Sequence, residues 1–335
     1  MNMSTGKGFS KKIIVWALIG LFILFYIIGI YWSSEPESIN IHAEVTKAAK
    51  ADNVAPVVGY TTTTVLIKVS EKLLNKPGGY LSNDIMPPSV FLDNMPAWEF
   101  GVLEMVRDMA LVMRKDFSRS QSQSLVNKYL QDAQPRFNIN SNNWAMPSAE
   151  SEYTEAIKQL YAYRSALVST NSQNKAQFYA RADNLRAYIE EVQKRLGSYS
   201  HRLSMSVGHD QMDTDLAGDK PAQQSSQGIQ QQQLQTSWWQ IDDVFFEARG
   251  ATWALLQLLR AVEIDFNSIL ENKNAKISLQ QIIRELEASQ AYLWSPMVLN
   301  GSGFGLVANH SLVMANYISR ANAALIDLNE LLTKG

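Results

Sequence analysis

Four polar residues near the carboxyl end, Asn309, Asn316, Arg320 and Asp327, recur at steps of seven, four and seven. On a helix those steps draw one stripe. It runs beside an apolar seam of Met314, Ile318, Ala321, Leu325, Leu328 and Leu332. Two amides, a guanidinium and a carboxylate on one stripe could form a polar network or contact a ligand. The plainer reading is a solvated face, although Ala308, Ala323 and Ala324 nearby would let another helix approach closely. A second group, Asp242, Asp243, Glu247 and Arg249, flanks a longer seam. Paired carboxylates can do acid–base work when a cleft brings them within about 5–10 Å of each other; on an exposed helix they are solvated charges. Arg249 and Trp253, at i and i+4, suit a cation–π contact worth about 0.5–1 kcal/mol. Asp84, Asp93 and Glu99, in and beside a turn-rich stretch, are the carboxylates a hydrolytic loop cleft would use.

Other chemistries fare worse. The chain has no cysteine, which removes disulfides, thiolate nucleophiles, zinc–thiolate sites and iron–sulfur clusters together. Four histidines remain, and His310 has neither a carboxylate nor a second histidine at i±3 or i±4. The run Gly301-Ser302-Gly303-Phe304-Gly305 precedes a helix, but it lacks the strand of a dinucleotide fold and the Lys-Ser/Thr of a phosphate loop, so it reads as a tight turn. Ser118–Ser124 has no nucleophile-elbow context. No catalytic residue, metal motif or cofactor site is assigned. A formal net charge of -2 argues against bulk binding to nucleic acid.

The elements that would position these residues begin with Ile13 to Trp32, IIVWALIGLFILFYIIGIYW, a run without a charge. A helix of that length spans about 30 Å, the hydrocarbon thickness of a bilayer. Lys7, Lys11 and Lys12 precede it, and Glu35 and Glu37 follow. The positive-inside rule then puts residues 1–12 in the cytoplasm and the rest outside. Lys11, Lys12, Trp16, Tyr31 and Trp32 are the expected anchors at the two membrane interfaces. A cleaved signal peptide is the rival. Its apolar region is shorter and ends in small residues, whereas this run exits through Tyr31 and Trp32, so an uncleaved signal-anchor is preferred.

Beyond the span, residues 33–60 are expected to be a stalk and connecting segment, with a helix at Ile41–Lys50. Residues 61–335 are expected to form an α-helical domain on the outer side of the membrane. Thr61–Ser70 is ambiguous: its β-branched residues favour a strand, while Val65, Val69, Leu73 and the Gly78-Gly79 stop fit a helix, which is preferred. Helices are expected over Ala97–Phe117, Ser118–Gln134 (ended by Pro135), Ser148–Ser169 (with Ser148 as its N-cap) and Lys175–Leu196 (stopped by Gly197). The stretch 208–237, rich in Gln, Asp, Ser and Gly, is expected to be a disordered loop, because it has too little apolar surface to offset its ordering entropy. It reads as a tolerated insertion before a partner-binding loop. Ile241, Phe245, Ala248, Thr252, Leu255, Leu259, Val262, Phe266 and Ile269 then repeat at 4-3-4-3 spacing, a coiled-coil-like seam. Ser278-Leu279-Gln280-Gln281 fits a capping box, and a last helix is expected over Leu306–Leu332. The fold class is all-α: a single amino-terminal transmembrane helix followed by an antiparallel helical bundle.

Four long segments, Gly78–Gly101, Arg107–Ser124, Ile241–Leu256 and Leu299–Leu328, resemble the bacterial family catalogued as domain of unknown function 2333. The resemblance extends over nearly the whole chain, with Gly208–Ser237 the main departure. It implies a Gram-negative inner-membrane setting with one amino-terminal span, in which the domain at 61–335 is periplasmic, and it brings no catalytic residue, substrate or cofactor. The expected partners are the lipid bilayer, through Ile13 to Trp32, and other envelope proteins, with no nucleic acid; a homo-oligomer face is a second use for the heptad seams. The expected function is a structural or protein-interaction module of the envelope. The alternatives are an envelope hydrolase acting on peptidoglycan or lipid, with Asp84, Asp93 or Glu99 at work, and a ligand sensor using Asn309 and Arg320.

Overall fold

A computed structural model describes residues 6–120, 124–171, 174–211, 232–295, 297–302 and 305–334. Helix α1 (Gly6–Trp32) contains the apolar run. Its stretch Lys11–Trp32 is long and apolar enough to cross a membrane, and the rest of the chain covers almost none of it. Helix α2 (Ile41–Asp52) is capped by Asn40, whose side chain accepts from the Ala43 N–H, and is ended by Asn53 in the left-handed region.

The ambiguous threonine run is helical, in α3 (Tyr60–Asn75). Its hydroxyls explain this. Thr63 and Thr64 donate to the carbonyls four residues back, and Thr62 gives both its hydroxyl and its N–H to Asp265. The polar atoms are thus satisfied inside a buried helix, and tertiary context overrides β propensity.

Helix α4 (Asn94–Val112) starts earlier than expected and ends in a π turn, Met113–Phe117. The helix expected over Ser118–Gln134 is not there as drawn: α5 covers Lys128–Phe137, capped by Asn127. Before it, Arg119 donates to the Ser124 carbonyl and Ser120 bonds Ser124, local side-chain bonds that compete with a helix. Pro135 lies inside α5, where buried Phe137, stacked on Tyr153, holds the final turn. Helix α6 (Ala149–Leu167) has Ser148 at its N-cap. Helix α7 (Ala182–Ser204) starts later than expected and runs straight through Gly197. Buried Tyr199 and Leu203 lie beyond that glycine, and their packing outweighs its stop signal.

Only the ends of the Gln-rich stretch are described. His209–Gln211 pairs antiparallel with Gln232–Leu234 in a short ribbon; the interior, 212–231, lies outside the described residues. Helix α8 (Ile241–Asp265) is buried without a break from Glu247 to Leu259. The seam read from the sequence is therefore one side of a central helix wrapped on nearly all sides. After α9 (Asn267–Asn272), Asn274 at φ 51 turns the chain, and α10 (Lys276–Ser289) begins behind Ala275. Ser278 thus sits inside α10 and does not cap it. Helix α11 begins at His310, not Leu306, and ends at Lys334.

The bundle is built around α8. Helices α4 and α8 run the same way: Trp98 near the start of α4 meets Trp253 at the middle of α8 (5.2 Å), and Phe117 meets Phe266 just past the ends of the two helices (5.1 Å). Their backbones touch: a Cβ on Gly101 would overlap the Glu247 carbonyl, and one on Gly250 would overlap that of Trp98. Helices α3, α7 and α10 run against α8, as shown by Thr62–Asp265, Arg202–Glu247 and Arg249–Ser289. The ends of α3, α7 and α10 and the starts of α4, α8 and α11 therefore share one end of the bundle. Helix α1 leaves from that same end: Trp32 lies over Gly78, and Leu92 reaches Gly29.

Candidate functional site at the α1 end of the bundle

Glu35, three residues past α1, meets buried Arg249 of α8. The guanidinium Nε donates to both carboxylate oxygens, at 2.6 and 2.9 Å. Its remaining nitrogens donate to the carbonyls of Ser289, Gln290 and Ala291 at the end of α10. One side chain thus ties the exit of α1 to two helices of the core. A little farther on, Gln257 accepts from the Ile39 N–H and bonds Ser38, so the connecting segment is laid along α8. The cation–π contact expected between Arg249 and Trp253 is not formed: the guanidinium is committed to Glu35, and Trp253 packs on Trp98.

The second device is an ion pair with no solvent exposure. Lys76 Nζ lies 2.6 Å from Glu99 and also donates to the Gly79 carbonyl. Glu99 accepts from the N–H groups of Leu81 and Ser82 and from the Ser82 hydroxyl. Burial pushes the Glu99 carboxyl up, and Lys76 opposes that shift. With these donors in place the carboxylate clamps residues 76–82.

Above this clamp lies an open cleft lined by Asp84, Asp93 and Asp243, with Ser89, Phe100 and Asn142. Burial, then the neighbouring carboxylates of Asp242, Asp93 and Glu247, push Asp243 up to about 6. Of the three hydrolase candidates, Asp84 and Asp93 reach this cleft and Glu99 lies locked beneath it. The third carboxylate in the cleft is Asp243, which the sequence places in a different group. Glu247 is held by both terminal nitrogens of Arg202, at 2.6 and 2.5 Å. Among the described residues, no cluster of His, Asp and Glu is disposed to hold a metal.

The stripe on α11 does not form one site. Asn309 is the N-cap of the helix: its side-chain oxygen accepts from the Leu312 N–H and its amide donates to Gly301. Arg320 crosses to Glu285 of α10 at 2.6 Å. Asn316 and Asp327 stand in solvent. His310 is likewise a scaffold group, since its Nδ1 accepts from the Leu299 N–H and burial lowers its pKa, which favours the neutral ring. It borders an open groove with Phe245, Tyr292, Trp294 and Tyr317. The Gly301 N–H bonds the Ala308 carbonyl and closes the glycine-rich turn. Of the expected membrane-interface residues, Lys11, Lys12, Trp16 and Tyr31 are exposed, and Trp32 is half-buried on Gly78.

Sequence reasoning missed a network between α4 and α7. Arg195 binds Asp108 at 2.7 Å and Glu104 at 2.8 Å, and Tyr199 donates to Glu104. The available signal was spacing: Glu104 and Asp108 stand at i and i+4, and so do Arg195 and Tyr199.

A family model described as an uncharacterized protein conserved in bacteria (DUF2333) matches residues 5–335. No curated protein and no solved structure matches the chain.

Proposed function

We propose a function from the premise that this chain belongs to the DUF2333 family, uncharacterized proteins conserved in bacteria: it is a single-pass inner-membrane protein whose helical bundle stands in the periplasm as a structural or protein-interaction module. The observation that carries the reading is the contrast between α1 and everything after it. The apolar side chains of Lys11–Trp32 have almost no protein neighbours, while the helix exit is fixed to the core through Glu35–Arg249 and Trp32–Gly78. A bare apolar helix finds its partner in lipid. A fixed joint then sets the attitude of the bundle toward the membrane. Confinement there raises its effective concentration for other envelope components. The basic residues before the span and the acidic ones after it favour the amino end inside.

The alternatives have less support. The most deeply buried carboxylate at this end, Glu99, is neutralised by Lys76. The polar groups named for a sensor, Asn309 and Arg320, are taken by a helix cap and by Glu285. In-cell photocrosslinking from the outer face of the bundle, followed by pull-down, tests the proposal. Reproducible adducts with envelope proteins support it. No adducts, together with cleavage of a cell-wall or lipid substrate by the purified full chain, would overturn it in favour of the hydrolase.

A further inference from the structure

The chain has eight tryptophans. Trp16 and Trp32 lie near the two ends of the apolar run, and Trp98 and Trp253 are buried against each other. The other four, Trp144, Trp238, Trp239 and Trp294, are exposed. All four lie at the α1 end of the bundle. Trp144 is in the loop that Asn83 binds through the Asn143 carbonyl, Trp238 and Trp239 precede α8, and Trp294 follows α10. The remaining exposed aromatics among the described bundle residues, Phe91 and Tyr292, are at the same end. The far end also exposes apolar groups, such as Val57 and Ile264, but none of them is aromatic.

Depth points the same way. Leu92 lies against Gly29, in the last turn of α1, where a Cβ would be 3.6 Å from its Cδ2. Three residues of helix are about 4.5 Å, so the loop before α4 reaches back alongside the end of the span. That loop exposes Ile85, Met86, Val90 and Phe91. In water such a patch is costly. Beside a membrane helix, it lies at the level where amphipathic aromatics and apolar loop tips are stabilised by the boundary of headgroups and acyl chains.

From this placement we infer that the α1 end of the bundle is a membrane-docking face, with the loop at 85–91 and the aromatic rim seated in the interface of the bilayer that holds α1. The inference rests on the anchor reading above. Asp84, Asp93 and Asp243 open at the same end, so the contact is apolar and needs no anionic lipid. The rim also gives the joint at Glu35–Arg249 a purpose: two attachments, span and rim, fix the tilt of the bundle.

The absence of native cysteine makes a direct test available. Single variants Phe22→Cys, Val57→Cys, Met86→Cys, Phe91→Cys and Trp294→Cys of the full chain, each checked for native helix content, carry an environment-sensitive fluorophore. They are reconstituted in phosphatidylcholine vesicles with or without a lipid bearing a nitroxide on its acyl chain, near the headgroup end for positions 57, 86, 91 and 294 and near the methyl end for position 22. The expected result is loss of most of the emission at positions 22, 86, 91 and 294, and none at 57. Quenching at 22 with 86, 91 and 294 behaving like 57 overturns the docking face and leaves the anchor standing; burial of those positions under a protein partner or a second copy would give that result. No quenching at 22 overturns the anchor reading and the docking face with it.

Discussion

Arg249 and Glu35 stand 214 positions apart in sequence and meet through guanidinium Nε bonds of 2.6 and 2.9 Å. Because Arg249 also holds three carbonyls at the end of α10, it sets where the chain leaves the apolar helix. Arg249→Ala is expected to cost about 3–5 kcal/mol, the range for stripping one partner from a buried pair. Arg249→Lys is expected to recover little, since an ammonium cannot span the carboxylate and the carbonyls at once. Denaturant unfolding of the full chain in detergent measures the loss, and proteolysis of residues 33–40 reports release of the joint.

The Lys76–Glu99 pair has a pH signature. In Lys76→Met the carboxyl keeps its burial and loses its counter-charge, so its folded-state pKa rises farther above the ordinary carboxylate range. A carboxyl whose pKa is raised on folding binds more protons folded than unfolded, so stability falls as pH climbs past the unfolded value. Lys76→Met should therefore be weakened by about 3–5 kcal/mol at neutral pH and recover on acidification. Adding Glu99→Gln should restore much of the neutral-pH loss. A single variant with no pH dependence would contradict the clamp.

Asp243 gives a smaller effect of the same sign. Its carboxyl moves from 3.8 to about 6 on folding. The penalty is absent at pH below the unfolded value, grows between the two, and is complete above the folded one. Asp243→Asn should therefore be more stable than the parent at pH 7, by no more than about 1 kcal/mol after allowance for solvent screening. The two should converge under acid. Parallel stability curves across that range would show that the acidic cleft carries no such strain.

Two glycines should respond in opposite directions. Gly250→Ala forces a Cβ into the Trp98 carbonyl and should destabilise by at least about 1–3 kcal/mol, the usual cost of overpacking. Gly197→Ala places its Cβ 3.7 Å from the Asn322 side chain, an ordinary contact. It should gain up to about 1 kcal/mol of helix propensity. Thermal unfolding of both variants reads this directly.

Patterning alone revealed the apolar helix, the helical class and most of the core, because periods of 3.5 to 3.6 residues survive in any context that buries one face. Ser148 was legible as a cap for the same local reason. What stayed hidden depends on partners remote in sequence. Arg249 turns toward Glu35 in place of Trp253, Lys76 finds Glu99 across a loop, and Asp265 is the distant partner that satisfies Thr62 in a run already legible as helix. Helix ends were lost where packing outweighed a local signal, as at Gly197 and Ser278. The aromatic rim was invisible because its members come from four separate connections, which only the folded topology gathers at one end.

The central claim is that the bundle lies outside the membrane that α1 spans. With no native cysteine to interfere, Val57→Cys in the full chain can be probed in cells with a membrane-impermeant maleimide after the outer membrane is opened. The account predicts labelling before the inner membrane is lysed, on protein that stays with the membrane pellet after alkaline wash. Labelling only after inner-membrane lysis, or protein released by the wash, would contradict it.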